Sequence, residues 1–284
     1  MKLSIVLPAR NESEGLRELL PKLKDLFPDA EVLVVNDGSN DDTQEVCSHN
    51  AVVCISHPKA RGNGAAIKTG ARNANGEIVV FMDADNQHSP EDIFKLLDGI
   101  GEGYDMVVGA RVFSTHAGVH RGVANMIFNW FASWMVGARV KDLTSGFRAV
   151  RRDKFMKFAY ILPNGFSYPT TITMSFFRAG YGVSYRPIMA MQRKGHSHIN
   201  IWRDGVRFLL IIFKVGVLYS PLKIFFPVSA GLAIAGVGNY IYSYFSVGRF
   251  TNMSALLLLA ALMVFLVGLV SEQITALMYR DSDS

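Results

Sequence analysis

Short apolar runs alternate with amphipathic stretches through the front of the chain. The runs "LSIVLP", "EVLVVND", "AVVCIS", "EIVVFMD" and "DMVVGAR" read as strands, and "SEGLRELLPKLKDLF" and "GNGAAIKTGARNA" between them read as helices. Strand and helix in alternation predict an α/β fold, a mostly parallel sheet wound with helices. In such sheets ligands bind beyond the carboxyl ends of the strands. The polar residues that follow each apolar run are therefore the first candidates: Arg10, Asn11 and Glu12; Asn36 and Asp37; Asp83, Asp85 and Gln87; and Arg111.

The pattern changes after about Ile201, where the chain becomes apolar. Ile224 to Tyr242 is a run of 19 residues without a charge, and Met253 to Val270 a run of 18. Each is close to the ~20 residues that cross a bilayer. The second contains "LLLLAALMVFLVGLV", which has no polar face. We expect a domain over 1–200, a juxtamembrane amphipathic segment over 201–222, two transmembrane helices within 223–279 and a short tail over 280–284. A stretch at about 125–139, "NMIFNWFASWMVGAR", mixes aromatic and aliphatic residues with a late cation, as a helix lying in the headgroup plane does.

Charge refines this picture. Arg203, Arg207, Lys214 and Lys223 precede the first span, whereas the connecting loop carries only Arg249. The positive-inside rule then leads us to expect both termini and the leading domain in the cytoplasm, with the chain integral to a membrane, a bacterial inner membrane by preference. The N-terminal run "LSIVLPA" is too short for a signal peptide. The formal net charge of +5 suits anionic lipid and phosphate ligands better than nucleic acid, because the cations gather near the apolar spans. Cys47 and Cys54 fit no metal-ligand spacing and read as core residues.

Three stretches carry candidate chemistry. Asp83, Asp85 and Gln87 alternate along the exit of an apolar strand, so their side chains can converge on one side. They offer hard oxygen ligands in an incomplete set, which suits Mg²⁺ or Mn²⁺ completing its shell with phosphate and water. Ser89, Pro90 and Glu91 behind them start a helix. In "NDGSNDDT", Asp37 and Gly38 form a turn that lets the backbone approach a flat ligand. "RGNGAAIKTG" resembles a phosphate loop, but Ile67 stands where a Walker loop needs glycine before its lysine and where a dinucleotide fingerprint needs its third glycine. We expect it to be a glycine-rich helix start near a nucleotide, with Arg61 reaching toward a phosphate.

Taken in order, "LPARNE", "VVNDGSNDDT", "RGNGAAIKTG", "MDADNQHSPED", "GAR" and "DLTSGFRAVRRD" resemble the family 2 inverting glycosyltransferases of GT-A fold, and among them the polyprenyl-phosphate sugar transferases. The resemblance covers roughly residues 1–200. It implies that Pro8, Glu12, Val35 and Asp37 hold the nucleoside, and that Asp83, Ala84 and Asp85 hold the sugar nucleotide. It further implies that Asp85 and Gln87 bind a divalent metal, Mg or Mn, and that Arg111 and Arg121 meet a lipid phosphate. Arg193 would clamp the donor diphosphate with His198 beside it; Asp85, Arg111, Arg121 and Arg193 form the catalytic set.

Two positions depart from the family pattern: Asn125 where relatives carry serine, and His198 where they carry lysine, a residue with less charge at neutral pH. The implied activity moves a sugar from a UDP- or GDP-sugar to undecaprenyl or dolichyl phosphate, with membrane lipids as surroundings and room for a homo-oligomer. The rival readings are a catalytically silent membrane scaffold that binds nucleotide sugars for a partner, and transfer to a non-lipid acceptor. The two spans favour the lipid acceptor, as does the absence of a QxxRW motif, of which "NIWRDG" keeps only Trp202 and Arg203.

Overall fold

The computed structural model describes residues 2–111, 119–165, 167–189, 213 and 216–279. Arg193 and His198 lie outside the described residues, and for Arg121 only the backbone is described. The chain divides into two compact units, Met1–Asn200 and Ile201–Ser284.

The first unit is built on a seven-stranded sheet. In chain order it runs β1 (Leu3–Ala9), α1 (Ser13–Leu26), β2 (Glu31–Asn36), α2 (Thr43–His49), β3 (Val53–Ser56), α3 (Asn63–Asn73), β4 (Ile78–Phe81), α4 (Asp92–Gly101) and β5 (Met106–Arg111). Then come α5 (Val119–Val136), β6 (Arg148–Arg151), α6 (Arg152–Phe158), α7 (Tyr168–Arg178) and β7 (Val183–Ile188). The strand order is β3-β2-β1-β4-β6-β5-β7, parallel except for β6, which runs antiparallel between β4 and β5. The order turns at β1 and β4, so their carboxyl ends flank the crevice in which such sheets bind ligands.

Helices cover both faces for reasons legible in the spacing. Leu16, Leu19, Leu20 and Leu23 form one stripe of α1 and are buried with Ile5, Leu7 and Val34 of the sheet, together with Ile93 and Leu96 of α4. On the other face α3 approaches so closely that a Cβ at Gly70 would collide with Val6. Cys47 joins the core and Cys54 is half-buried; neither is in a disulfide. The segment expected to be interfacial is helical from Val119, earlier than its composition indicated, and stops at Val136, where Gly137 takes φ of +70°.

The second unit is a helical hairpin, α8 (Pro221–Val247) and α9 (Asn252–Tyr279). Both helices are long and apolar enough to cross a membrane. Their outer faces expose Ile234, Tyr242, Phe245, Leu256 and Met263. Between them, Asn239 Oδ1 accepts hydrogen bonds from Thr251 Oγ1 (3.2 Å) and Ser254 Oγ (2.9 Å) near the turn. At the open end Leu222 N donates to Glu272 Oε2 (3.1 Å), and midway Ser229 Oγ donates to Ala261 O (2.8 Å).

Candidate active site

The carboxyl ends of the parallel strands bring two acidic centres to one edge of the sheet. At the end of β2, Asp37 is buried, 4% exposed, and its carboxylate is fully engaged. His57 Nδ1 lies 2.7 Å from Oδ1, while Arg61 N and Gly62 N donate to Oδ1 and Oδ2 over 2.8 and 2.7 Å. His57 Nε2 continues to Thr69 Oγ1 on α3 at 2.9 Å. Burial pushes the Asp37 carboxyl up, but the hydrogen bonds from His57, Arg61 and Gly62 outweigh it and hold it below the usual carboxylate range. Pro8 of β1 pairs in register with Val35. Val35 is wholly buried, its side chain against Gly70 of α3, so no part of it is open to a ligand, against the expectation that it holds the nucleoside. Glu12 is the N-cap residue of α1 and its carbonyl accepts from Leu16 N.

The glycine-rich start of α3 serves the protein itself rather than a phosphate. A Cβ at Gly62 would lie 2.5 Å from Asn164 O, and one at Gly64 would collide with Pro163 O. Ala65 N donates to Asn164 O, and Lys68 Nζ holds Leu162 O and Asn164 Oδ1. Arg61 N and Gly62 N are spent on Asp37, in keeping with the failure of both phosphate-loop patterns in the sequence.

The second acidic centre follows β4 and is arranged in the opposite way. Burial first, and then the charge of Asp85, push the Asp83 carboxyl up to about 6, against the opposing pull of Asn63, Arg111 and Arg148. Neither Asp83 nor Asp85 forms an ion pair among the described residues. Asp85 Oδ1 accepts Gln87 N (3.2 Å), and Asn86 takes φ of +57°, which turns the chain so that Gln87 follows Asp85 closely. Ala84 is buried against α1, where a Cβ at Gly15 would collide with the Ala84 carbonyl oxygen. His88 stacks on Phe147 at 4.9 Å, and its Nδ1 has no hydrogen-bond partner among the described residues. Among the described residues no group of three or more His, Cys, Asp or Glu is placed to hold a metal. Asp85 and Gln87 would suit an ion that takes the rest of its shell from phosphate and water, and two neighbouring carboxylates without an ion-pair partner among the described residues are the feature that fits one.

Beside this centre, Arg111 ends β5. Its Nε and Nη2 bind Asp142 Oδ2 and Oδ1 over 2.8 and 3.0 Å, and Nη2 also reaches Thr144 Oγ1 (2.6 Å). Hydrogen bonding by Arg111 holds the Asp142 carboxyl below its usual range despite burial. Arg121 belongs to the first turn of α5 by its backbone.

The model for glycosyl transferase family 2 matches residues 4–158, more than half of the chain. The chain belongs to that family. A second model, the GtrB C-terminal hairpin, matches residues 220–277. The chain is 29% identical over 231 residues to an undecaprenyl-phosphate mannosyltransferase from Micrococcus luteus, covering 72% of this chain and 95% of that one. It is 28% identical over 207 residues to a polyprenol monophosphomannose synthase from Mycolicibacterium smegmatis, covering 67% and 77%. A crystal structure of glucosyl-3-phosphoglycerate synthase from Mycobacterium tuberculosis, bound to Mn²⁺, UDP-glucose and phosphoglyceric acid, superposes with a TM-score of 0.60 at 19% identity, over 76% of this chain and 79% of that one. The expected GT-A fold, followed by two apolar helices that could cross a membrane, is borne out, and the protein is a glycosyltransferase.

Several residues of this glycosyltransferase that shape the site had no local signal in the sequence. His57, Gly15 and Asp142 act through partners 20, 69 and 31 residues away. Arg148 of β6 is wholly buried, donating to Pro169 O (3.2 Å), Thr173 Oγ1 (3.1 Å) and Ser145 O. The block "DLTSGFRAVRRD" held two of these residues, but only the fold reveals which groups they meet.

Proposed function

We propose that this glycosyltransferase moves a sugar from a nucleotide-diphosphate sugar to a polyprenyl phosphate, with inversion at the anomeric carbon and dependence on a divalent metal. One observation carries the reading: two neighbouring carboxylates, Asp83 and Asp85, without an ion-pair partner among the described residues, stand near a braced arginine, Arg111, on a chain with an apolar hairpin. The pair calls for a cation with a diphosphate, and the arginine for a second anion. Relatives named for polyprenol and undecaprenyl phosphate support that acceptor.

In this reading Asp85 and Gln87 hold the metal, Mg or Mn, which when bound supplies positive charge for the departing diphosphate. Asp83 orients the sugar nucleotide. Pro8 and Glu12 line the nucleoside, and Asp37 keeps the 59–62 loop in place behind them. A phosphate monoester has a second pKa of ~6, so an attacking oxygen is already ionised near neutral pH and no general base is needed. The residues are left with positioning and charge handling: Arg111 and Arg121 at the acceptor phosphate, Arg193 and His198 at the leaving group.

The helix α5 exposes Met126, Trp130 and Trp134 at a four-residue spacing, with Trp130 67% exposed. We assign this face to the headgroup layer of the membrane, on the cytoplasmic side where Lys and Arg precede the first span. The deciding experiment incubates the full-length protein with Mn²⁺, radiolabelled sugar nucleotides and a polyprenyl phosphate, then extracts lipid. Label enters the organic phase with one donor, a chelator stops it, and Asp85→Ala abolishes it. An organic phase without label for every donor refutes the proposal.

A further inference from the structure

Arg111 is placed at the acceptor phosphate in the reading above, yet the structure gives it a partner already. Asp142, in the loop between α5 and β6, grips the Nε and Nη2 edge of the guanidinium at two points, and also accepts the Arg111 backbone N–H. The same carboxylate accepts Thr144 N, Thr144 Oγ1 and Ser145 N through Oδ1, each at 3.1 Å. Asp142 is thus locked to its own loop, with its side chain 11% exposed, while the Arg111 side chain is 39% exposed. Two-point pairing fixes the plane of a guanidinium as one contact does not. The Nη1 side of Arg111 has no hydrogen-bond partner among the described residues. The loop then runs on to Gly146, where a Cβ would lie 3.2 Å from Asp83 Oδ2, so one short segment touches both the acidic centre and Arg111.

We propose that Asp142 is a positioning residue for the acceptor: it holds Arg111 so that the guanidinium offers a phosphate one fixed N–H edge with its charge already compensated. The proposal rests on the polyprenyl-phosphate reading of the acceptor. Its consequence is that Arg111 aims the nucleophile rather than attracting it. A free arginine would bind a dianion more tightly and hold it in several orientations, whereas an error of about 1 Å in the attacking oxygen costs ~10²-fold in rate. Orientation and affinity therefore separate at this residue.

The test compares the wild-type protein with Asp142→Asn and Thr144→Val, full length in detergent micelles, using farnesyl phosphate as probe. Asparagine keeps an acceptor for Thr144 N and Ser145 N but removes the charge facing Arg111. Calorimetric binding of farnesyl phosphate by Asp142→Asn is expected to be unchanged or up to ~10-fold tighter, while kcat for sugar transfer falls ~10²-fold. Thr144→Val, which frees only part of the gripped edge, is expected to show the same split at ~3-fold, with its melting temperature retained. Loss of binding and turnover in proportion in both variants, or no loss of kcat in Asp142→Asn, overturns the proposal. A wild-type protein that neither binds farnesyl phosphate nor labels it overturns the acceptor reading and the proposal together; a wild type that does both while the split is missing overturns the proposal alone.

Discussion

Asp37 and Asp83 stand at the ends of two parallel strands, β2 and β4, with β1 between them, and have opposite fates. Asp37 is satisfied within the protein: a histidine and two backbone amides take its oxygens, and its carboxyl is held low. Asp83 shares its surroundings with a second carboxylate, and its carboxyl is pushed up to about 6. The first arrangement stabilises the fold and gives a loop its shape. The second holds unfavourable interaction that, on the proposed reading, a bound cation would relieve, as stability is given up at functional sites. Charge alone does not separate the two, since both are aspartates at strand ends; what separates them is that backbone amides and a histidine hold both oxygens of Asp37, whereas a second carboxylate stands beside Asp83.

The strongest test of that contrast neutralises each centre in turn. Asp83→Asn should lower sugar transfer by ~10²–10³-fold, because a fixed charge aimed at the reacting group is lost, and yet raise the melting temperature of the ligand-free protein by a few degrees as the repulsion disappears. Asp37→Asn should do the reverse to stability and lower the melting temperature. If both variants melt lower, the acidic centre after β4 is structural. Next in size is Gly15→Ala. The added methyl meets the Ala84 carbonyl oxygen and must push the Asp83 to Asp85 turn off α1; a misplacement of this kind costs ~10²-fold in kcat/KM, and the variant should still fold, as shown by an unchanged circular dichroism spectrum.

A smaller effect is expected along the chain from Asp37 to Thr69. His57→Leu leaves the buried carboxylate without its side-chain donor, a loss of about 1–3 kcal/mol, read as a lower midpoint of chemical denaturation. His57→Asn can keep a donor near the Nδ1 position and should recover part of it.

The smallest effect is on pH dependence, and its sign differs between the two centres. A carboxyl raised to about 6 contributes stability that is fully present at acidic pH and is lost as the pH rises through about 6. A carboxyl held low contributes stability at neutral pH that is lost only as the pH falls through its lowered value. Melting of the ligand-free protein between about pH 7 and pH 5 should therefore contain a gain on acidification that vanishes in Asp83→Asn and persists in Asp37→Asn.

How much of this was legible in the sequence follows from the range of each interaction. The strands β1, β2, β4 and β5 announce themselves because buried parallel strands are unbroken apolar runs, and α1 because its leucines keep one face. The strand β6 does not: two of its four residues are arginine, and it is a strand only because Arg148 finds acceptors on α7 and in the 145 loop. The strand β7, "VSYRPI", hides in the same way behind an arginine and a proline at the sheet edge. In the site, Asp83, Asp85 and Gln87 stand out as a local pattern, but the bend at Asn86 that replaces the expected extended exit does not. The grip of Asp142 on Arg111, the seat of Ala84 on Gly15 and the engagement of Asp37 by His57 are pairings between distant positions, and no window of sequence contains them.

The hairpin that ends the chain has its own lesson for anyone who would shorten it. Asn239 depends on Thr251 and Ser254 across the turn, and the Glu272 carboxylate receives an amide from the opening turn of the other helix. Removing either helix would leave an amide or a carboxylate without its partner, and within a bilayer an unsatisfied polar group costs several kcal/mol. The two helices are therefore a single hairpin that cannot be halved, and a chimera that exchanges one of them for an unrelated apolar helix must carry its own replacements for Asn239 and Glu272.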